Sequence, residues 1–227
     1  MENIPQPIQN LTNLFLKIFV FPIIRLIWVG RVDGINNIPK KGGIIIASNH
    51  KSYFDFICFN AIAPRGVHYL TAAIFFKKKW WRPIVTLTNQ IKVERYGPHR
   101  KESARQAFTR VVSMLKQGEA IGIYPEGTRS HDGKLHKAFT GVARMALIAR
   151  VPVIPVGMIG TYEIMSRYEK RPHLKKCQIK IGKPMSFDQY YGQQSNPKVL
   201  ENITDQIMLA IARLAGEKYR FSYNQHK

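Results

Sequence analysis

Residues 44–63 read IIIASNHKSYFDFICFNAIA. The apolar run Ile44-Ile45-Ile46-Ala47 reads as a buried strand and Phe56–Ala63 as a short buried helix. Ser48–Asp55 is then a strand-to-helix turn that holds a histidine and an aspartate. In open α/β sheets ligands bind at such turns. Histidine is the commonest general base, and a carboxylate on its second nitrogen fixes the tautomer and stabilises the imidazolium that forms. Positions five apart on one continuous helix diverge by about 140° at ~3.6 residues per turn. His50 and Asp55 meet only if His50 lies in the turn and Asp55 in the first helical turn, where side chains lean toward the N-terminus. Ser52-x-x-Asp55 also fits a capping box, which would use Asp55 for the backbone alone. Both readings stand on the sequence.

Outward from this stretch, strands and helices alternate, which argues a single α/β layered domain with a mostly parallel or mixed sheet. Val67–Ala73 reads as a second strand and Ile91–Arg95 as a short third. A helix follows from about His99 to Gln117, bracketed by Pro98 and Gly118, with Ala104, Ala107, Phe108, Val111, Val112 and Leu115 in helical period. Ala120–Tyr124 is a buried strand that delivers Pro125-Glu126-Gly127-Thr128-Arg129 at the same edge as His50. Gly127 suits a positive φ and a close substrate approach, and Arg129 offers a planar fork suited to phosphate. Thr140–Arg150 reads as a helix. The proline inside Val151–Gly157 implies an edge strand or a bulge. Met158–Leu174 reads as a loop, Cys177–Ile181 as a strand, and Asn196 to about Gly216 as a packed terminal helix without chemistry. Its apolar stripe is Leu200, Ile203, Ile207, Ile211 and Leu214.

The 227 residues carry 35 Lys and Arg against 14 Asp and Glu, a formal charge of +21. Such a balance calls for an anionic partner: nucleic acid, an anionic membrane or phosphorylated substrates. A 45% hydrophobic content excludes disorder. Cys58 and Cys177 are read as reduced structural thiols of a cytosolic chain. No Cys-x-x-Cys, His-Glu-x-x-His, Walker loop, Gly-x-Ser-x-Gly or dinucleotide fingerprint occurs, so no metal site or resident cofactor is expected.

Residues 11–29, LTNLFLKIFVFPIIRLIWV, have the length of a membrane span but contain Lys17, Pro22 and Arg25. On a helical wheel Asn10, Asn13 and Lys17 share one side, with Arg25 at its edge. A helix lying in the membrane interface fits this better than a span; an amphipathic helix packed on the domain is the other reading. Residues 1–30 are thus expected to be a membrane-associating segment and 31–227 the functional domain. Between residues 75 and 82 four cations sit among Phe75, Phe76, Trp80 and Trp81, a mixture used by nucleic-acid grooves, membrane interfaces and plain solvated helices.

Asn49-His50-x-Ser52-x-x-Asp55 resembles the first block of the glycerolipid acyltransferases of the lysophosphatidate acyltransferase type. Tyr124-Pro125-Glu126-Gly127-Thr128-Arg129-Ser130 resembles that family's Glu-Gly-Thr-Arg block, and the likeness runs over roughly residues 30 to 185. Arg95 resembles the arginine of the second block, held to bind acceptor phosphate, with Glu94 departing from the commoner aspartate or small residue. A surface pairing of Arg95 with Glu94 is the alternative. Lys77 and Pro83 match the family's lysine six residues before a proline, although Trp80 and Arg82 replace its usual aliphatics. Val151–Gly157 resembles its fourth block.

The resemblance implies acyl transfer from a thioester, on CoA or acyl carrier protein, to a hydroxyl of lysophosphatidate. His50 would take the proton, Asp55 would orient His50, and Glu126, Gly127, Thr128, Arg129, Arg95 and Lys77 would line the substrate. Glu126 would order the loop and the acceptor rather than act as nucleophile. No nucleic-acid partner is expected; the chain would sit on the cytoplasmic face of an anionic membrane. Glycerol 3-phosphate, a lysophospholipid or an acyl amino-acid lipid are alternative acceptors. A non-catalytic basic protein that binds anionic lipid or nucleic acid is the rival of a different class, and its binding would collapse steeply with salt.

Overall fold

The computed structural model describes residues 11–223 other than 13, 80 and 81. Asn10, Asn13, Trp80 and Trp81, which enter the readings above, lie outside the described residues. Seven strands make one sheet: β1 (Val29–Asp33), β2 (Ile44–Ser48), β3 (Val67–Ala72), β4 (Ile91–Val93), β5 (Ala120–Ile123), β6 (Val153–Ile159) and β7 (Cys177–Ile181). Their order is β1-β7-β6-β2-β5-β3-β4, parallel throughout except for the antiparallel pair β6–β7. The helices are α1 (Phe21–Trp28), α2 (Phe54–Ile62), α3 (Ala73–Lys77), α4 (Arg82–Leu87), α5 (Arg100–Lys116), α6 (Gly141–Ala149), α7 (Thr161–Ile164) and α8 (Pro197–Ala215).

Strand β2 lies in the middle of the sheet, and all five of its residues are buried. Side chains alternate across a strand, so Ile45 and Ala47 join a core built with α5, α6 and α8, while Ile44 and Ile46 join a second core with Phe54, Cys58 and Phe59 of α2. Covering on both faces is why the strand reads as an unbroken apolar run. Helix α8 starts at Asn196, whose side chain accepts from the Lys198 N–H, and stops at Gly216 in the left-handed region. Cys58 and Cys177 are free and buried in the same core cluster.

Three expectations change. The apolar run read as reaching residue 29 gives its last residue to the sheet: Val29–Asp33 is strand β1, paired with β7, and Gly34 (φ 78°) turns after it. Pro155 is neither at an edge nor in a bulge, because β6 lies between β2 and β7. The proline is tolerated because the β7 ladder begins one residue later, at Val156 opposite Ile181. Pro155 itself gives only its carbonyl to the Gly182 N–H as the chain leaves β7. Third, the segment read as loop from Met158 begins as the end of β6 and carries the short helix α7.

The N-terminal segment is helical, with a π-helical stretch at Leu16–Val20 running into α1. The π turn sits next to Pro22, whose ring and missing N–H displace the ordinary i→i−4 bond. The reading of a helix packed on the domain holds for one face. Helix α1 lies against α2 and anchors through Trp28, whose Nε1–H donates to the His173 carbonyl and whose ring meets Phe54 at 5.0 Å. Its other face is bare: Phe15, Phe19 (58% exposed), Ile23 and Leu26 (74%) all point to solvent. Lys17 and Arg25, both exposed, border a crevice with Asn60 and Ala63.

Gly122 fixes the packing of β5 under the turn. A Cβ there would lie 2.2 Å from the Tyr69 ring, which is held between Phe56 and Tyr124. Gly122→Ala is expected to lower stability by about 1–3 kcal/mol through overpacking, read as a lower urea midpoint at unchanged m-value. An unchanged midpoint would mean that Tyr69 moves aside freely.

Candidate active site

The turn after β2 brings His50 and Asp55 together as its geometry required. Asp55 occupies the first turn of α2 and reaches back, with Oδ2 accepting from His50 Nδ1 at 2.8 Å. The same oxygen accepts the backbone N–H groups of Lys51 (2.7 Å) and Ser52 (2.8 Å). The capping reading and the dyad reading are therefore both realised by one atom. With Nδ1–H committed to Asp55, Nε2 is the unprotonated nitrogen of the neutral ring. Tyr124 stacks on the imidazole at 3.8 Å and 9°, which fixes the plane of the ring. Burial pushes the His50 pKa below its ordinary value; Asp55 opposes the shift, while Arg129 and Arg95 add to it. The ring is thus neutral at pH 7 and able to accept a proton.

The backbone of the turn is tied from two sides. Asn49 bonds the Met158 N–H and carbonyl with its side-chain amide, both at 2.8 Å. The His50 N–H donates to Glu126 Oε1 (3.0 Å), and the His50 carbonyl accepts from the Ser130 N–H (2.7 Å). Glu126 Oε2 accepts from the His136 N–H at 2.9 Å. Glu126 therefore orders the loop, as the sequence suggested, by bridging two backbone segments. Burial raises its pKa to about 7. Gly127 turns with φ 70° beside Phe139, and Thr128 is exposed.

Arg129 lies over the Tyr53 ring at 3.6 Å and donates through Nη2 to the Tyr53 hydroxyl at 2.8 Å. Its Nη1 is buried with no hydrogen-bond partner among the described residues. Arg95 is exposed just beyond β4, close enough to bear electrostatically on both His50 and Arg129. Glu94 lies 4.0 Å from Lys92, so the described ion pairs give no support to a Glu94–Arg95 pairing. Lys77 ends α3, two residues beyond Phe75, whose ring meets Tyr53 at 5.6 Å. No described hydrogen bond links Lys77 to the dyad.

Three contributors escaped the sequence. Tyr124 precedes the Glu-Gly-Thr-Arg stretch, and only the fold shows it under His50. Arg167, in the excursion after α7, donates to the Arg129 carbonyl at 3.3 Å and adds a third guanidinium to the edge. Glu217, just past α8, pairs with Lys51 beside the dyad. The chain just beyond the terminal helix thus gives Lys51 its ion-pair partner.

The C-terminal edge of the sheet thus carries a histidine–carboxylate dyad rimmed by arginines. The chain belongs to the acyltransferase family, whose model matches residues 30–159. Among curated proteins it is 27% identical over 157 residues to the 1-acyl-sn-glycerol-3-phosphate acyltransferase of Bacillus subtilis, covering 68% of this chain and 73% of the relative. It is 26% identical over 214 residues to the probable 1-acyl-sn-glycerol-3-phosphate acyltransferase of Mycoplasma pneumoniae, covering 90% and 75%. Its fold is that of the 1-acyl-sn-glycerophosphate (LPA) acyltransferase PlsC from Thermotoga maritima, with a TM-score of 0.73, 21% identity, and coverage of 93% of this chain and 83% of that one.

The Glu126 bridge generates a test. Glu126→Gln replaces one acceptor oxygen by an NH2 that must face a buried N–H, costing about 1–3 kcal/mol. The folded pKa of about 7 lies above the ~4.3 of an unperturbed glutamate. The wild-type carboxyl therefore contributes most below the unfolded value and loses that contribution as pH rises through 7. The stability deficit of Glu126→Gln should be largest near pH 5 and shrink toward pH 8 in urea titrations. A deficit that grows with pH would contradict the buried, raised-pKa assignment.

Proposed function

We propose that this protein transfers a fatty acyl group from a thioester, carried by CoA or acyl carrier protein, to the free hydroxyl of lysophosphatidate, giving phosphatidate. The observation that carries the reading is the His50 ring held by Asp55 through Nδ1, which leaves Nε2 to accept a proton. In this reading His50 takes the hydroxyl proton as the alkoxide attacks the thioester carbonyl carbon. The tetrahedral intermediate expels the thiolate, and the proton passes from His50 to sulfur. No acyl-enzyme forms. Arg129, with a donor unused inside the fold, and Arg95 hold the acceptor phosphate, since guanidinium–phosphate pairs are charge-assisted and often bidentate. Gly127 and Thr128 line the exposed loop beside Arg129, and in this reading Lys77, at the end of α3, would meet the substrate as well.

The test is thiol release from acyl-CoA or acyl carrier protein with lysophosphatidate as acceptor. His50→Ala should lose about 10²–10⁴ of the rate, the usual weight of a general base, with an unchanged circular-dichroism spectrum. Since His50 titrates below its ordinary ~6.5, the acid limb of kcat/KM should lie below that pH. Normal turnover by His50→Ala, or an acid limb above pH 7, rules the mechanism out. Comparable rates on glycerol 3-phosphate would move the acceptor assignment and leave the chemistry.

Among the described residues no helix is long and apolar enough to cross a membrane. The reading that fits is a helical segment lying on the cytoplasmic face, with Phe15, Phe19, Ile23 and Leu26 in the acyl boundary and Lys17 and Arg25 at headgroup level. A Phe15→Ser, Phe19→Ser, Leu26→Ser triple variant changes only exposed side chains. It should cease to sediment with anionic vesicles while retaining activity on detergent-dispersed acceptor. Sedimentation equal to wild type would assign membrane contact elsewhere.

A further inference from the structure

The loop that follows Arg129 reads Ser130-His131-Asp132-Gly133-Lys134-Leu135-His136. It returns on itself at Gly133, φ 76°, and brings His131, Asp132 and His136 into one cluster at the surface. Each side chain offers a ligand atom, and the three atoms lie within 4.8 Å of one another. The two imidazoles lie 4.4 Å apart between centroids. None of the three residues takes part in the dyad or the arginine rim. We propose that His131, Asp132 and His136 form a binding site for a divalent transition metal of the zinc type.

The donor set selects the class of ion. Imidazole suits zinc, copper and nickel, whereas magnesium and calcium call for oxygen cages. Two imidazoles and one carboxylate leave a fourth, open position for water, as tetrahedral zinc accepts. At bond lengths of ~2.0–2.1 Å, donors on a tetrahedron lie about 3.3 Å apart. The observed spread closes to that by rotation of exposed His131, and the metal replaces the His136 Nε2–Asp132 Oδ1 contact of 2.8 Å.

The supporting shell is already built. Asp132 Oδ1 accepts from Ser130 Oγ and the Lys134 N–H, both at 3.0 Å, which holds the carboxylate and leaves Oδ2 to bind. The His131 carbonyl accepts from the Tyr162 hydroxyl at 3.2 Å, and the His136 N–H is held by Glu126. Outer hydrogen bonds of this kind orient ligands and typically contribute 10–100-fold to metal affinity. The Glu126 connection also matters for coupling: its other oxygen holds the His50 N–H, so an ion clamping His136 stiffens the loop that positions the base.

The probe is Co2+ added to tag-free full-length protein and read by its visible absorption, then displaced by Zn2+. One equivalent should bind per chain, and millimolar Mg2+ should not compete. His131→Gln and His136→Gln should each weaken binding by at least about tenfold, and His50→Ala should leave it unchanged. Zn2+ should also raise the thermal midpoint of wild type by mass action but not that of His131→Gln, whose exposed side chain lies outside the hydrogen bonds that hold the fold. Absence of binding by wild type, or wild-type affinity in both histidine variants, overturns the site. Loss of Co2+ binding in His50→Ala would place the ion at the dyad and overturn it as well. None of these results depends on acyl transfer, so the metal site and the catalytic reading fail or survive separately.

Discussion

Asp55 Oδ2 is the atom on which the turn depends. Three N–H groups converge on it within 2.7–2.8 Å: the imidazole of His50 and the backbones of Lys51 and Ser52. A carboxylate buried without donors would be expelled or neutralised; here the chain between β2 and α2 supplies them by curling around it. Folding the turn and orienting the base are thus one event. A site assembled from backbone donors this close in sequence is also rigid, because moving the ring means breaking the helix start. The second carboxylate, Glu126, does the same work from the far side, stitching His50 to the loop at His136.

Much of this was legible because it is local. The β2 strand, the turn and the start of α2 follow from an apolar run, a polar turn and a spacing of five. The period-3.6 stripes of α5 and α8 and their terminal Asn, Pro and Gly residues mark those helices within a residue or two. The parallel register Ala47 opposite Ile123 places the His50 turn and the Glu126 loop at one edge, as the alternation of strands and helices implied.

What the sequence hid is what depends on distant partners. Val29 closes an apolar run that reads as helix, and Val29–Asp33 becomes a strand because β7 arrives, more than a hundred residues later in the chain, to pair with it. Pro155 was read by the rule that proline avoids interior strands, which fails where the neighbouring ladder has ended at that residue. Tyr124 under His50, Arg167 at the Arg129 carbonyl and Glu217 on Lys51 are contacts between segments with no sequence signal of their own. His131 and His136 form a His-x4-His pair with no second ligand pair beside it in the sequence, and the bend at Gly133 sets them side by side.

The arginine rim and the dyad are not independent. Arg129 and Arg95 hold the His50 pKa down, because two guanidinium charges oppose a third charge on the ring. Burial acts in the same direction and is the larger effect. An acceptor phosphate seated on those arginines would cancel their repulsion while leaving burial and Asp55 in place. The base would then become stronger as its substrate binds, and would stay neutral and unprotonated in the empty site. Coulomb's law makes this coupling largest where water is excluded, which is the setting of a ring covered by Tyr124 and a guanidinium stacked on Tyr53. The excess of basic charge that first suggested an anionic partner acts here at short range. In the proposed reaction it would recruit the phosphate and tune the group that takes the proton of the neighbouring hydroxyl.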